Sequence, residues 1–429
     1  MAKDWTAEFL GLCRYLQDPH LVARFQRMCG VKGTFPRRSG ETAGRQRDHN
    51  GDCAEDGVRQ SNCSTAASCS AQEEPPPGLL NGALPEAHSR GTVKPLRKNS
   101  LTGDVGQEFI IENKLLFYLF TFGTELGNEM FFIVFFPFLY WNVDAHVSRR
   151  LIVVWELILY LGQCAKDLVR WTRPASPPVV KVEVFYNTEY SMPSTHAMTG
   201  TALPLSLLLL TYGRWQYSFM FGLCLVMCWS LLVCVSRIYM GMHSVLEVIT
   251  GFLYSLLILA VFQPALNAID HFYLTHSYAP LIIIALHVGL GLLAFSLDTW
   301  STSRGDTAQA LGTGMGAALA SHFNHQLGLM PDPPLSQLPF SIPPLSIALL
   351  SRSLLRLLLG VLVLLATRAV MKALTIPLMC RMFGIPCDDV RKARQHMEVE
   401  LPYRYIVYGT VGFSCISLVP FLFGWLNLS

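Results

Sequence analysis

Charge is scarce in this sequence. Of its 429 residues, 15% are Asp, Glu, Lys or Arg, against roughly 25% in soluble domains. Such a chain cannot cover itself with an ordinary water-facing surface. Its net charge of +3 is also too small to hold a nucleic acid backbone, so no nucleic acid partner is expected. The cysteines lack metal-ligand spacing. Cys53, Cys63 and Cys69 lie in a polar stretch, Cys164, Cys224, Cys228 and Cys234 in or beside apolar spans, and Cys380 and Cys387 do not form a C-x-x-C pair. They are expected to be unpaired and to act as small hydrophobes. No apolar stretch with a cleavage site precedes residue 114, so targeting is expected to come from the first span. Internal repeats are lacking too.

What is present is apolar. Hydrophobic residues make up 51% of the chain, and they gather in blocks of about 20 residues, the length that crosses a bilayer. The expected fold is all-α, a polytopic membrane helix bundle of eight or nine spans. The spans lie near residues 115–141, 149–170, 195–213, 216–236, 243–263, 279–297, 307–324, 346–371 and 404–427. The seventh, DTAQALGTGMGAALASHF, is rich in Gly and Ala, which suits close packing inside the bundle or a segment that does not cross at all. Residues 5–29 show helical spacing on both sides of Pro19, consistent with a surface helix pair or a packed helix. Residues 31–106 are too polar to offset the entropy of ordering and are expected to be a disordered tail. The loop 372–403 is rich in Lys and Arg, the signature of a cytoplasmic loop. Three parts are expected: a tail over 1–106, a catalytic membrane domain over 107–300, and C-terminal membrane helices over 301–429.

Three polar segments stand at the ends of these spans: KDLVRWTRP at 166–174, PSTH at 193–196 and SRIYMGMHSVLE at 236–247. The first closes the second span, the second opens the third, and the last joins the fourth to the fifth, so all three face one side. Lys166 and Arg173 are seven residues apart, which on a continuous helix puts both cations on one face before Pro174 ends it. Pro193 and Ser194 read as a helix start, where a hydroxyl and exposed amides favour an anion. His196 in that first turn can supply a proton at neutral pH. His243 and Glu247, four apart, are expected to meet on one turn, the carboxylate fixing the imidazole tautomer and leaving the other nitrogen as nucleophile. Arg237 adds a planar fork for phosphate. Each segment alone also fits a bland reading: cations reaching headgroups, a plain helix cap, an interfacial His/Glu pair.

Together the segments resemble the three signatures of the type 2 phosphatidic acid phosphatase (PAP2) superfamily: K, six residues, R, P; PSGH; and SR, five residues, H. The flanks YNTEYSMPSTHAM, SRIYMGMHSVLE and RKARQHMEVELPYRY resemble sphingosine-1-phosphate phosphatases over nearly the whole chain after residue 105. The resemblance implies a six-helix catalytic core in which His243 attacks phosphorus and Glu247 orients it. Lys166, Arg173, Arg237, Ser194 and Thr195 hold the phosphate, and His196 protonates the leaving alcohol. It implies no metal and no cofactor, a lipid phosphate substrate, and an endoplasmic reticulum membrane protein whose catalytic face is lumenal. Two positions depart from the superfamily pattern. Thr195 replaces a glycine, narrowing the approach of backbone to phosphate, and Glu247 replaces an aspartate, lengthening the orienting contact by one methylene.

Selectivity is read from the first span, where Glu125, Asn128 and Glu129 are expensive in lipid and share a helical face. They are expected to contact the ammonium or hydroxyl of a sphingoid base, the alternative being interhelical hydrogen bonding or a water-facing helix end. Two other functions remain open: a broad lipid phosphate or polyprenyl diphosphate phosphatase, or an inactive transporter or scaffold on the same fold.

Overall fold

The computed structural model of the protein describes residues 5–34, 92–93, 108–183, 189–297, 303–330, 332 and 335–428. Most of the region expected to be a disordered tail lies outside these residues, as do Cys53, Cys63 and Cys69. Two helices open the chain, α1 (Trp5–Gln17) and α2 (Pro19–Met28), the second capped by Asp18 and started by Pro19. Three short strands follow, β1 (Val31–Gly33), β2 (Thr92–Val93) and β3 (Phe109–Ile111), ordered β1-β3-β2 and antiparallel throughout. Val31 pairs with Ile111 and Thr92 with Ile110. Residues 31–33 and 92–93 of the 31–106 segment therefore pair in a sheet, which composition did not suggest. Backbone pairing to β3, which buries Phe109 completely, supplies what side-chain composition could not.

The membrane region comprises α3 (Lys114–Glu125), α4 (Glu129–Asn142), α5 (Ala145–Val169), α6 (Thr195–Thr211), α7 (Phe219–Tyr239), α8 (Val245–Phe262), α9 (Leu266–Thr275), α10 (Ala279–Leu297), α11 (Arg304–Gln326), α12 (Ile347–Phe383), α13 (Val390–Ala393), α14 (Met397–Phe413) and α15 (Val419–Trp425). Among the described residues, five stretches are long and apolar enough to cross a bilayer: 219–239, 245–275, 279–297, 347–383 and 397–425. The chain is a multi-pass membrane protein. Two boundaries differ from the sequence reading. The first expected span is broken at Leu126–Asn128 into α3 and α4, and α12 runs on to Phe383, where Gly384 adopts a left-handed conformation and ends it. The basic connection is thus confined to residues 384–396.

Packing centres on α5. Its Leu151, Ile158 and Trp155 lie in one apolar cluster with Phe132 and Phe136 of α4 and Met198, Ala202 and Leu203 of α6. Asp144 caps α5 and accepts a 2.6 Å hydrogen bond from Arg214. Arg149 is gripped by Asp332 at 2.8 Å and Asp270 at 3.3 Å, which fixes the end of α5 remote from the polar segments. The weakly apolar α11 does pack inside the bundle, against α14: a Cβ at Gly316 would lie 1.9 Å from the carbonyl oxygen of Gly409, an approach only glycine allows. Residues 1–34 and 91–429 form one compact unit, with no break in packing between α10 and α11. All nine cysteines among the described residues are free.

Candidate active site

The third polar segment supplies the most tightly built part of the site. α7 ends at Tyr239, the chain turns through Met240–His243, and Ser244 caps α8. Ser244 and Glu247 form a capping box, in which the Ser244 hydroxyl accepts from the Glu247 amide at 3.4 Å and Glu247 Oε2 accepts from the Ser244 amide at 3.2 Å. The same Oε2 lies 3.0 Å from His243 Nδ1. The predicted pair is present, but its geometry is not that of two residues on one helical turn. His243 precedes the helix, and Glu247 reaches it by bending back over the N-terminus. The side chains are each only 2% exposed. A proton on Nδ1 facing the carboxylate leaves the lone pair on Nε2.

Ser191 completes this arrangement. Its Oγ donates to Glu247 Oε2 and sits 3.2 Å from His243 Nδ1, so one carboxylate oxygen gathers three donors. Sequence reading missed Ser191, although it lies inside the YNTEYSMPSTH flank. It also missed the S-x-x-E capping signature of residues 244–247, a pattern legible from spacing alone.

The second segment docks on the third. The Ser194 amide donates to the Glu247 carbonyl at 3.3 Å, and a Cβ at Gly251 would meet the Ser194 carbonyl oxygen at 2.7 Å. Helices α6 and α8 therefore start side by side. Ser194 is the N-cap of α6, its hydroxyl accepting from the Ala197 amide at 3.4 Å. Pro193 stands before the cap and outside the first turn. Its amide and its hydroxyl oxygen both serve the helix start, while its O–H remains able to donate. Beside it, Thr195 Oγ1 lies 3.3 Å from Lys166 Nζ. His196 Nε2 is 3.1 Å from Asn128 Oδ1.

The first segment does not keep its expected helical form. α5 stops at Val169, and Arg170 adopts a left-handed conformation at φ 57°, so Lys166 and Arg173 do not share a helical face. They converge nonetheless, because one carboxylate bridges them. Glu189 Oε1 is 2.6 Å from Lys166 Nζ and its Oε2 is 2.9 Å from Arg173 Nη2. Burial would raise the Glu189 carboxyl, but Lys166 and Arg173 outweigh it and hold the group below the usual carboxylate range. Arg173 also donates to the Met242 carbonyl at 3.2 Å, beside His243. Arg237, in the last turn of α7, pairs with Glu183 at 3.0 Å. Three cations, two histidines and Glu247 thus gather at one end of the bundle, as the alternation of spans requires. Glu183 and Glu189, the carboxylates seated on the cations, were not singled out from sequence.

The N-terminal helices also reach this loop. Gln26 of α2 donates to the carbonyls of Val180 at 2.7 Å and Tyr239 at 2.9 Å and accepts from the Val180 amide at 3.0 Å. Composition had left α2 undecided between a membrane surface and packing; it packs.

Lys181 adds a titratable cation. It donates to the Gly241 carbonyl at 2.7 Å, and burial, then Arg173, push its ammonium down to about 7 against an opposing pull from Glu247. Its native value lies below its unfolded value. The cost of burying it is therefore fully present below pH 7 and is relieved as pH rises from there toward the unfolded lysine range. The same titration removes positive charge beside the cradle. Binding of tungstate, a phosphate mimic, is expected to weaken between pH 6 and 8, and Lys181→Arg is expected to remove that step. A step that persists in the arginine variant excludes Lys181 as its source.

The expected headgroup residues divide. Glu125 ends α3, Asn128 precedes α4 and Glu129 begins it, so the three straddle a break and do not form one helical stripe. Asn128 faces His196, Glu125 lines a cleft beside Glu183, and the side chain of Glu129 lies outside the described residues.

Among known protein families, the PAP2 superfamily model matches residues 147–269, which hold all three segments. Sphingosine-1-phosphate phosphatase 1 of Rattus norvegicus is 54% identical over 422 residues, covering 96% of this chain and 97% of that protein. Sphingosine-1-phosphate phosphatase 2 of Homo sapiens is 37% identical over 424 residues, covering 97% of this chain and 99% of its own. The chain belongs to the sphingosine-1-phosphate phosphatase family. More distant is lipid phosphate phosphatase delta of Arabidopsis thaliana, 24% identical over 70% of this chain and 80% of its own length. No solved structure matches. Family membership accounts for the PAP2-type core and for the spacing of the three segments.

Proposed function

We propose that this protein dephosphorylates sphingosine 1-phosphate and related sphingoid base phosphates through a phosphohistidine on His243. The observation that carries the proposal is the orientation of His243. Its Nδ1 is held by a buried carboxylate 3.0 Å away, in a site where three cations are already arranged to hold two carboxylates. A phosphate monoester presents the same kind of oxygens to those cations.

In the proposed reaction the phosphate oxygens take the places of the carboxylate oxygens on Lys166, Arg173 and Arg237, with Thr195 beside them. Nε2 of His243 attacks phosphorus in line, the ester P–O bond breaks, and His196 gives its proton to the departing alkoxide. Glu247 stabilises the imidazolium as it forms. Water then attacks phosphorus, His196 takes a proton from it, and the N–P bond breaks to release inorganic phosphate. The protein contributes positioning and charge compensation, which together account for nearly all of the catalysis in phosphoryl transfer.

Three fixed cations suffice to balance a phosphate dianion, so purified protein in detergent is expected to release phosphate undiminished in EDTA. Loss in EDTA with recovery on adding Mg²⁺ contradicts that account. We propose further that the enzyme lies in the endoplasmic reticulum membrane with this face toward the lumen. Modification of a cysteine introduced into the α5–α6 loop by a membrane-impermeant reagent in sealed microsomes contradicts that orientation.

A further inference from the structure

The loop between α5 and α6 fills the anion site with the protein's own carboxylates, and the two are not equivalent. Glu189 is enclosed between Lys166 and Arg173. Glu183 pairs with Arg237 on one side and on the other lines an open cleft. Across that cleft stand Thr121, Thr124 and Glu125 of α3, with Phe117 and Val182 as apolar wall. Its polar lining, among the described residues, is two hydroxyls and two carboxylates with no Lys or Arg. Thr124 is 3% exposed and its hydroxyl has no hydrogen-bond partner, a buried polar group left for a ligand to satisfy. The adjoining Asn128, 8% exposed, likewise has an amide nitrogen without a partner. On its outer side α3 exposes Leu115, Tyr118, Leu119 and Phe122, an apolar surface along which an alkyl chain can lie.

We infer that this cleft reads the ammonium and neighbouring hydroxyl of a sphingoid base phosphate, with Glu183 as its specificity residue. The inference rests on the phosphatase reading of the adjoining site. A sphingoid phosphate carries its dianion on C1, its ammonium on C2 and a hydroxyl on C3. When the phosphate takes Arg237, Glu183 loses its counter-charge in a largely buried position, which is costly unless another cation replaces it. The ammonium is that cation, shared with Glu125, and the C3 hydroxyl reaches the free Thr124 oxygen. The exchange gives Glu183 a new counter-charge. A glycerol-based phosphate of the same chain length has no amine, so it displaces Glu183 from Arg237 and leaves that carboxylate without a new counter-charge.

The test uses the full-length protein in mixed micelles, with kcat/KM measured for sphingosine 1-phosphate, its N-acetyl derivative and a lysophosphatidate of matched chain. Wild type is expected to prefer the free amine. Glu183→Gln is expected to lower the rate on the amine and raise it on lysophosphatidate, since the neutral amide no longer competes for Arg237. The amine-to-lysophosphatidate ratio is expected to fall by about tenfold or more, the scale set by leaving buried polar groups unpaired. Thr124→Val, nearly isosteric, is expected to lower the rate on the amine several-fold and to spare that on lysophosphatidate. If Glu183→Gln lowers all three substrates by the same factor, or shifts the ratio by less than about threefold, Glu183 only supports Arg237 and the inference is overturned. Failure of the phosphatase reading looks different: wild type then releases phosphate from none of the three.

Discussion

His243→Ala abolishes phosphate release from every lipid phosphate, lowering kcat by at least about 10⁴-fold, the scale on which removing a nucleophile falls. The size follows from the reaction. Uncatalysed hydrolysis of phosphate monoesters is among the slowest reactions known, with accelerations up to about 10²¹, so no side path can stand in for the missing imidazole. Lys166 and Arg173 are held by Glu189, and Arg237 by Glu183, so the cradle does not depend on the His243 ring for its shape. The variant is therefore expected to keep its affinity for tungstate. Parallel measurement of phosphate release and tungstate binding checks this. Retained turnover, or loss of both properties together, contradicts the assignment of nucleophile and cradle to separate groups.

Glu247→Gln has the second largest effect, a fall in kcat of about 10³- to 10⁴-fold, as when the carboxylate of a catalytic triad is made an amide. Glu247 Oε2 accepts from the Ser244 amide and the Ser191 hydroxyl and faces His243 Nδ1. An amide presents either one acceptor oxygen that cannot balance an imidazolium, or an NH₂ that forces Nδ1 to accept and places the proton on the attacking nitrogen. Glu247→Asp isolates the reach of the side chain. The structure uses the longer residue to span both the capping box and the histidine ahead of the helix, so the shorter one must release one of them. A kcat loss larger than about tenfold with unchanged melting temperature shows that the histidine contact was given up; a drop in melting temperature with kcat kept shows that the cap was. Wild-type kcat in Glu247→Gln excludes the orienting role.

Much of the site was legible because its residues sit at the ends of long apolar helices, where chain direction alone decides which polar segments can meet. The alternation of spans placed Lys166, His196, Arg237 and His243 on one side from sequence alone. The positions that misled depend on conformations that periodicity does not encode. Arg170 enters the left-handed region, which few residues other than glycine do, and so Arg173 leaves the helix that its spacing suggested. Glu183, Glu189 and Ser191 lie in a loop without repeat, where a carboxylate gives no sign of which cation it will meet. Strands β1 and β3 are three residues each and about 80 residues apart in sequence, so their pairing is invisible to any local pattern. The glycines of α11 told of close packing but not of the partner.

The central claim is that phosphate passes through His243 before it reaches water. Hydrolysing a sphingoid phosphorothioate made chiral at phosphorus with two oxygen isotopes, in water carrying the third, tests this most directly, because sulfur and the three isotopes keep the released thiophosphate chiral and each in-line displacement inverts the phosphorus. Two displacements, first by Nε2 of His243 and then by water, predict net retention of configuration in the released thiophosphate. Net inversion would mean a single direct attack by water and would contradict the account.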